Sequence, residues 1–520
     1  MSDWLKTAIF YEIYPQSFYD TNKDGIGDLP GITEKLDYIK DLGCNALWIN
    51  PCFESPFFDA GYDISDYKKI APRYGSNEDM YRLIEEAHKR SIRVLLDLVP
   101  GHTSIEHEWF KRSMKSAESK DNPYLKRYIW TETPWENFQG IEHIFGALNG
   151  ICDRGSVAVN FFSTQPALNY GFANPDKEKP WQSAVDSPEA RATLSDIMDV
   201  MRFWLSAGCD GFRVDMAHSL IKGDTDYSHV ILLWQEIRAF LDEEFPHSVL
   251  VSEWGKPDLS LKAGFHMDFL LHFGPSHYVN LFRENPFFSG EARGDLKEFI
   301  RYYKKVCKEA DGRGLICIPS GNHDMPRISH KLTPHEIKLA FVFILTVPGA
   351  PFIYYGDEIG MKYLDGIPPV EGGYERTGSR SPMQWDESPN AGFSAAAPEK
   401  LYIQTDTDEN RPNVKQQSAD SNSILNEVKR LINLRKDNAM LGNMPPIEFI
   451  TAGEAGEPLI YSRGDGKDKA YIAINPALNA VKAKLSEAVR LVYTLGEKPI
   501  ISEDGILLQP QSAVVLMGVD

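Results

Sequence analysis

The stretch Gly211-Phe-Arg-Val-Asp215 (GFRVD) combines the pattern of a short strand with two charged side chains. Alternate side chains of a strand face opposite sides, so Phe212 and Val214 are predicted on one face and Arg213 and Asp215 on the other, about 7 Å apart. A cation that close is expected to keep a carboxylate ionised. One Asp at the end of a strand is, taken alone, more readily a helix cap. Its meaning therefore depends on the fold around it.

The rest of the chain repeats this strand pattern. Short apolar runs alternate with amphipathic segments such as residues 31–43 and 76–92, as expected for repeated β-α units around a parallel sheet. Eight candidate strands begin near Ile9, Ala46, Val94, Gly211, Val249, Phe265, Leu315 and Phe352. Eight such units predict an α/β protein with a (β/α)8 TIM barrel.

Two segments depart from this alternation. Residues 103–188 are rich in aromatic residues, Asn, Gly and Pro, which predicts an inserted loop-rich domain after the third strand. Residues 446–520 contain short alternating runs between turns, which predicts a C-terminal antiparallel β domain. The catalytic barrel is then expected to comprise residues 1–102 and 189–445.

Composition limits the class of protein. The chain has 520 residues, 42% of them hydrophobic, and a formal net charge of −19. A globular protein with a large core is expected, and the negative charge argues against nucleic acid or an acidic membrane surface as a partner. A small neutral substrate fits this charge better. The sequence does not predict an oligomeric state.

The cysteines and the N-terminus bear on the compartment. Six cysteines lie singly and without metal-ligand spacing, which indicates reduced, buried thiols. The N-terminal MSDWLKTAIF lacks a basic start followed by a long apolar run, and no segment approaches the roughly 20 apolar residues needed to span a bilayer. We expect a cytoplasmic protein.

Titratable side chains follow four of the predicted strands. Glu253 lies beside Trp254, and an aromatic neighbour is expected to raise the pKa of such a carboxyl. The full set is Asp97 and His102 in DLVPGH, Asp215 in GFRVD, Glu253 in VLVSEW, and His323 and Asp324 in SGNHD. A barrel gathers these strand ends at one rim, and a charged and a protonated carboxyl group together can cleave a glycosidic bond. A third acid would bind sugar hydroxyls or raise the pKa of the proton donor.

The segments GFRVDMAH, SEW, NHD and DLVPGH resemble the four signature segments of the α-amylase superfamily, glycoside hydrolase family thirteen. The similarity extends over nearly the whole chain through YEIYPQSF, GYDISDY, QPALNY and RSPMQWD, and is nearest to the oligo-1,6-glucosidase, α-glucosidase and trehalose synthase branch. It implies a retaining hydrolase of short α-1,4- and/or α-1,6-glucosides that forms a covalent glycosyl-enzyme. Asp215 would be the nucleophile, Glu253 the general acid and base, and Asp324 the residue that orients and distorts the sugar.

The resemblance also implies a set of sugar-binding residues. Tyr62 would stack under the sugar at the cleavage subsite. The hydroxyls of this sugar, or the catalytic acids themselves, would be held by Asp63, His102, Arg213, His323 and Arg380. For Tyr62 and Arg380, a core aromatic and a surface arginine are the alternative interpretations.

The stretch DTNKDGIGD, residues 20–28, has the ligand spacing of a calcium loop. Its oxygen donors would be Asp20, Asn22, Asp24, the Ile26 carbonyl and Asp28. It is not an EF-hand, because Gly31 stands where the bidentate Glu would be. The resemblance implies a structural Ca²⁺ or Mg²⁺ here, and Gly101 before His102 implies that the other calcium site of many α-amylases is absent. A solvated acidic turn is the alternative.

Several functions remain open on this scaffold. A transglucosylase or isomerase of the trehalose synthase or sucrose isomerase type would use the same intermediate, and an endo-acting α-amylase is a further alternative. A non-catalytic binding protein is disfavoured because Asp215, Glu253 and Asp324 are all present. Met216 after the proposed nucleophile and Ala167 in QPALNY match no specificity pattern, so the preferred linkage is not predicted.

Overall fold

A computed structural model describes residues 2–115, 122–136, 147–149, 155–291, 294–465, 469–484, 489–502 and 505–518. Parts of the predicted insert, including Cys152, lie outside the described residues.

Eight parallel strands form one sheet. They are β1 (Phe10–Ile13), β2 (Ala46–Ile49), β3 (Arg93–Leu98), β4 (Gly211–Val214), β5 (Val249–Ser252), β6 (Met267–Phe269), β7 (Leu315–Cys317) and β8 (Phe352–Tyr354). Their order in the sheet is β7-β6-β5-β4-β3-β2-β1-β8. A parallel bridge between Pro319 and Phe352 joins the two ends of the sheet. The predicted barrel and its eight strands are confirmed.

Aromatic side chains fill the inside of the barrel. The rings of Phe10 and Phe352 stack with centroids 4.2 Å apart. The guanidinium of Arg213 lies 5.0 Å from the ring centroid of Trp48, so β4 directs this cation into the barrel. Phe212 and Val214 pack instead into the core shared with the outer helices, as the alternation predicts. Gly211 is required on β4, because a Cβ there would lie 2.0 Å from the Val249 carbonyl oxygen.

Helices surround the sheet. Ser76 caps the helix at Asn77–Lys89 in a reciprocal capping box with Asp79, which satisfies N–H groups of its first turn. The predicted segment 31–43 is divided at Lys35 into two helices. The helices are Leu29–Glu34, Leu36–Leu42, Asn77–Lys89, Glu108–Met114, Pro188–Ser206, Ser228–Glu244, Pro257–Lys262, Val279–Phe282, Lys297–Ala310, Pro334–Thr346, Val414–Ala419 and Ile424–Asp437. Within the described residues, no helix is long and apolar enough to cross a membrane.

The remaining strands are antiparallel. Phe53–Glu54 pairs with Asp66–Ile70, and the insert contributes Trp130–Thr131, Ala147–Asn149 and Ser156–Ala158. The C-terminal part contains a five-stranded and a three-stranded sheet. Their strands are Ile447–Phe449, Leu459–Arg463, Ala470–Asn475, Val481–Ala483, Val489–Leu495, Ile500–Ser502, Gly505–Leu508 and Ser512–Gly518. The predicted C-terminal antiparallel architecture is confirmed, while the domain limits at 102, 188 and 445 stay predictions.

Candidate active site

Three acids from different strand ends meet in one cavity. Asp215 follows β4, Glu253 follows β5, and Asp324 lies in the loop after β7. All three line a cavity of about 410 Å³ at the carboxyl ends of the strands. This is the face at which a barrel of this kind assembles its active site.

Arg213 joins two of these acids. Its Nη1 lies 3.1 Å from Asp215 Oδ1 and its Nη2 lies 2.8 Å from Glu253 Oε2. Nη1 also donates to Asp97 Oδ1 at 3.0 Å, from the position directly opposite Arg213 in the β3–β4 pairing. The guanidinium is 3% exposed, so it holds the carboxyl groups with little competition from water.

The carboxyl groups of Asp215 and Glu253 bind the same guanidinium and so influence each other. Burial, followed by the neighbouring Glu253, raises the pKa of Asp215 well above its usual range, although Arg213 opposes the shift. Burial and Glu253 thus oppose the ionisation of Asp215 that Arg213 favours. Like-charge repulsion between two neighbouring carboxyl groups favours the retention of one proton by the pair.

Asp324 has the opposite electrostatic environment. Its Oδ2 lies 3.1 Å from His323 Nε2, and its Oδ1 accepts from Arg376 at 2.8 Å and from Arg380 at 3.0 Å. Burial works against ionisation, but these cations hold the pKa of Asp324 well below its usual range. Asp324 is therefore a carboxylate at neutral pH.

His323 lies between two acids. Its Nδ1 lies 3.0 Å from Glu12 Oε1, on the side opposite Asp324. Burial lowers the pKa of His323, but Asp324 and Glu12 outweigh burial and raise the pKa to about 9. Tyr62 Oη lies 2.8 Å from His323 Nε2 and donates to Asp97 Oδ2 at 3.1 Å.

A charged pair forms part of the lining of the cavity. Arg376 Nη2 lies 3.5 Å from Asp59 Oδ1, and Gln165 Nε2 donates to Asp59 Oδ2 at 2.8 Å. Asp59, Gln165 and Arg376 all line the cavity. Because Arg376 also contacts Asp324, this pair lies next to the third acid.

A protein-family model described as "Alpha amylase, catalytic domain" matches residues 12–443 of the sequence. The chain belongs to the alpha-amylase family. It is therefore a glycoside hydrolase by family, and its eight-stranded barrel with an acid-lined cavity fits that membership.

Relatives within the alpha-amylase family share most of the chain. The trehalose synthase/amylase of Mycolicibacterium smegmatis is 33% identical over 482 residues, covering 84% of this chain and 76% of the relative. The oligo-1,6-glucosidase of Parageobacillus thermoglucosidasius is 32% identical over 513 residues, covering 84% of each. The crystal structure of trehalose-6-phosphate hydrolase from Bacillus licheniformis superposes with a TM-score of 0.80 at 26% identity, covering 99% of this chain and 100% of that one.

The structure places the predicted sugar-binding residues of this family member in three positions. Tyr62 and His102 line the cavity, and burial lowers the pKa of His102 to about 4, so this imidazole is neutral. Arg213, His323 and Arg380 lie behind the acids and hold them. Asp63 lies elsewhere.

Asp63 is fully buried beside the cavity rather than in its lining. Its carboxyl accepts backbone N–H groups of Phe58 and Asp59 and the Ser55 hydroxyl. Asp63 therefore orders the loop that presents Asp59, and its predicted contact with sugar hydroxyls or with the acids stays a prediction.

Sequence reasoning missed three residues of this alpha-amylase-family site: Glu12, Asp59 and Arg376. Glu12 is on β1 and looks like an ordinary strand residue until its contact with His323 is known. Asp59 lies in a loop and Arg376 in the short helix Tyr374–Arg380, more than 300 positions apart in the sequence. The local sequence points to them only in that Asp59 is close to Tyr62 and Arg376 is close to Arg380.

The predicted cation loop carries an oxygen-only donor set, which suits a hard cation. In the structure these oxygens accept hydrogen bonds within the turn: Asp20 from the N–H groups of Lys23 and Gly25, and Asp28 from Thr21 and Gly31. Asp28 thereby caps the helix Leu29–Glu34. No group of three or more His, Cys, Asp or Glu side chains among the described residues is arranged to hold a metal. Cation binding by this loop therefore stays a prediction.

Proposed function

We propose that this protein is an exo-acting, retaining hydrolase of short α-glucosides. The proposal rests chiefly on one observation: the ion pair Asp59–Arg376 lines the cavity that contains Asp215 and Glu253, next to Asp324. An ion pair at this place would hold the terminal sugar and block a continuing chain, whereas an endo-acting enzyme needs an open groove. The pair therefore favours exo action over the endo-acting α-amylase alternative.

The first chemical step would use both members of the carboxyl pair. A carboxylate oxygen of Asp215 attacks the anomeric carbon, and the bond to the leaving oxygen breaks as Glu253 donates its proton to that oxygen. The single proton favoured by the pair then belongs on Glu253, and Arg213 stabilises the resulting Asp215 carboxylate. Binding of a sugar between the two carboxyl groups promotes this distribution.

The second step would reverse these roles. Glu253, now a carboxylate, removes a proton from water, and the hydroxide attacks the anomeric carbon and releases Asp215. Two inversions give net retention. The binding of both carboxyl groups by one guanidinium supports this course, because inverting enzymes need a separation of roughly 6.5–9.5 Å to admit water between them.

Asp324 would bind sugar hydroxyls as a permanent carboxylate. His323, Arg376 and Arg380 keep it ionised, so that its oxygens only accept hydrogen bonds. Neutral His102 and Tyr62, both in the cavity lining, complete the polar contacts available to the first sugar.

Transglucosylation or isomerisation is the second candidate. In these reactions the glucosyl group of the same glycosyl-enzyme is transferred to a sugar hydroxyl instead of water. The similarity to a trehalose synthase/amylase favours a test of this alternative. Chromatographic product analysis after incubation with maltose, isomaltose, sucrose and trehalose separates the two. Glucose as the dominant product supports hydrolysis, and a new disaccharide supports transfer.

We also propose that residues 20–28 bind Ca²⁺ or Mg²⁺ and that the protein resides in the cytoplasm. Asp20, Asn22, Asp24, the Ile26 carbonyl and Asp28 would hold the cation, which would stabilise the turn after β1. The location is supported by the free cysteines of the described residues, namely Cys44, Cys52, Cys209, Cys307 and Cys317, which form no disulfide.

A further inference from the structure

A second cavity adjoins the site on the side of the proton donor. It has a volume of about 370 Å³ and shares His218 and Phe273 with the first cavity. Trp254, Gly255 and Lys256, the three residues that follow Glu253, form part of its lining. Since Glu253 protonates the leaving oxygen, the leaving group must extend from Glu253 into neighbouring space, and this cleft supplies it.

Lys256 gives this cleft a positive charge. Its Nζ lies 2.8 Å from Tyr227 Oη and 4.5 Å from the centroid of that ring. In the part of the chain that the structure describes, no Asp or Glu oxygen forms a salt bridge with Lys256. This is notable in a chain of net charge −19, in which acidic partners are abundant.

Trp254 adds a second hydrogen-bond donor. Its side chain is 3% exposed, and its Nε1–H has no acceptor among the described residues. A ligand oxygen that accepted from this buried donor would satisfy it. Indole N–H and ammonium groups donate but never accept hydrogen bonds. Lys256 and Trp254 therefore favour ligands whose oxygens accept hydrogen bonds.

We propose that the leaving group carries an anionic substituent, a phosphate or a carboxylate, that binds Lys256. This inference rests on the proposed hydrolase function and specifies its substrate class. The aromatic rings of Tyr227, Trp254 and Phe273 would pack against the body of the leaving group.

The test compares three inhibitors of the hydrolysis of p-nitrophenyl α-glucoside. Glucose 6-phosphate, glucuronate or both are expected to inhibit at about tenfold lower concentration than glucose, as a hydrogen bond between charged groups provides. The phosphate and carboxylate arms identify which anion is preferred. Equal inhibition by all three sugars overturns the proposal.

Variants separate recognition of charge from support of Tyr227. Lys256→Met should abolish the tenfold advantage of the anionic sugar, and Lys256→Arg should retain most of it. Lys262→Met removes an exposed lysine at the far end of the helix that begins after Lys256, and this variant should retain the full advantage of the anionic sugar. If Lys256→Met weakens glucose and its anionic analogues by the same factor, Lys256 only supports Tyr227 and the proposal fails.

Calorimetric binding of the same sugars to folded Asp215→Asn protein tests the cleft without turnover. If the wild-type enzyme cleaves neither neutral α-glucosides nor α-glucosides with an anionic leaving group, the proposed function fails, and calorimetry still decides the anion preference. If neutral glucosides are cleaved but neither assay shows an anion preference, only the present inference fails.

Discussion

Arg213 Nη1 lies 3.1 Å from Asp215 Oδ1, two residues further along the chain at the end of the same strand. The alternation of a strand puts both side chains on the inner side of the barrel, and the same guanidinium reaches Glu253. The geometry thus couples the proposed nucleophile to the proposed proton donor through one buried cation.

Asp215→Asn is expected to remove activity while leaving the fold intact. The amide keeps the shape of the side chain but cannot form the glycosyl-enzyme, so kcat should fall by roughly 10⁴-fold or more. Rates on p-nitrophenyl α-glucoside and circular dichroism measure the two properties. A folded variant with near-normal turnover would remove Asp215 from the mechanism.

Asp59→Ala is expected to impair the recognition of the terminal sugar. It removes the partner of Arg376 and Gln165 in the lining of the cavity. Loss of a charged hydrogen-bonding group should lower kcat/KM for maltose by roughly 10- to 100-fold, with a smaller loss for maltopentaose because the opened end admits a longer chain. Asp66→Ala, at an exposed position outside the cavity, is the control and should leave both values unchanged. Equal losses on both substrates would contradict exo action.

The unfolding free energy should depend on the protonation of His323. Its pKa is about 9 in the folded protein and about 6.5 when unfolded, so the folded state holds the proton more tightly. This contribution is fully present below pH about 6.5 and is lost as the pH rises through about 9. His323→Gln cannot titrate. Denaturant unfolding should show the difference in stability between wild type and variant shrinking from pH 6 to pH 10; a constant difference would show that His323 is not charged in the fold.

Removal of divalent cations is expected to lower the melting temperature before it lowers the initial rate. A cation present at a hundredfold excess over its Kd stabilises the folded state by about 2.7 kcal/mol, and the loop lies outside the residues that line the cavity. Melting curves and rates with and without chelator measure the two effects. Asp24→Ala should abolish the response of the melting temperature. A rate that falls while the fold holds would give the cation a catalytic role.

The barrel was predictable because each strand carries its own signal. GFRVD and the seven similar runs are short, apolar and followed by polar residues, so local patterns fix both the strands and the end at which the acids lie. Asp215, Glu253 and Asp324 were found in this way. Their meeting in one cavity follows from barrel topology alone.

The end of the cavity was not predictable from local patterns. Asp59 and Asp63 are four residues apart in one loop, and only the fold shows that Asp63 accepts backbone N–H groups while Asp59 faces Arg376. The pKa of Asp215 likewise depends on burial and on Glu253, 38 residues later, and not only on the adjacent Arg213. Contacts between residues far apart in the sequence, and the burial of a side chain, cannot be inferred from the residues next to it.

Trapping of the glycosyl-enzyme tests the retaining mechanism most directly. 5-Fluoro-α-glucosyl fluoride, whose ring fluorine slows both chemical steps, should inactivate the enzyme, and mass spectrometry of the digested protein should find one hexosyl label on the peptide that contains Asp215. A label on another residue would contradict the assignment of the nucleophile. Turnover without any label, together with release of the β-anomer in the proton NMR spectrum, would contradict the mechanism itself.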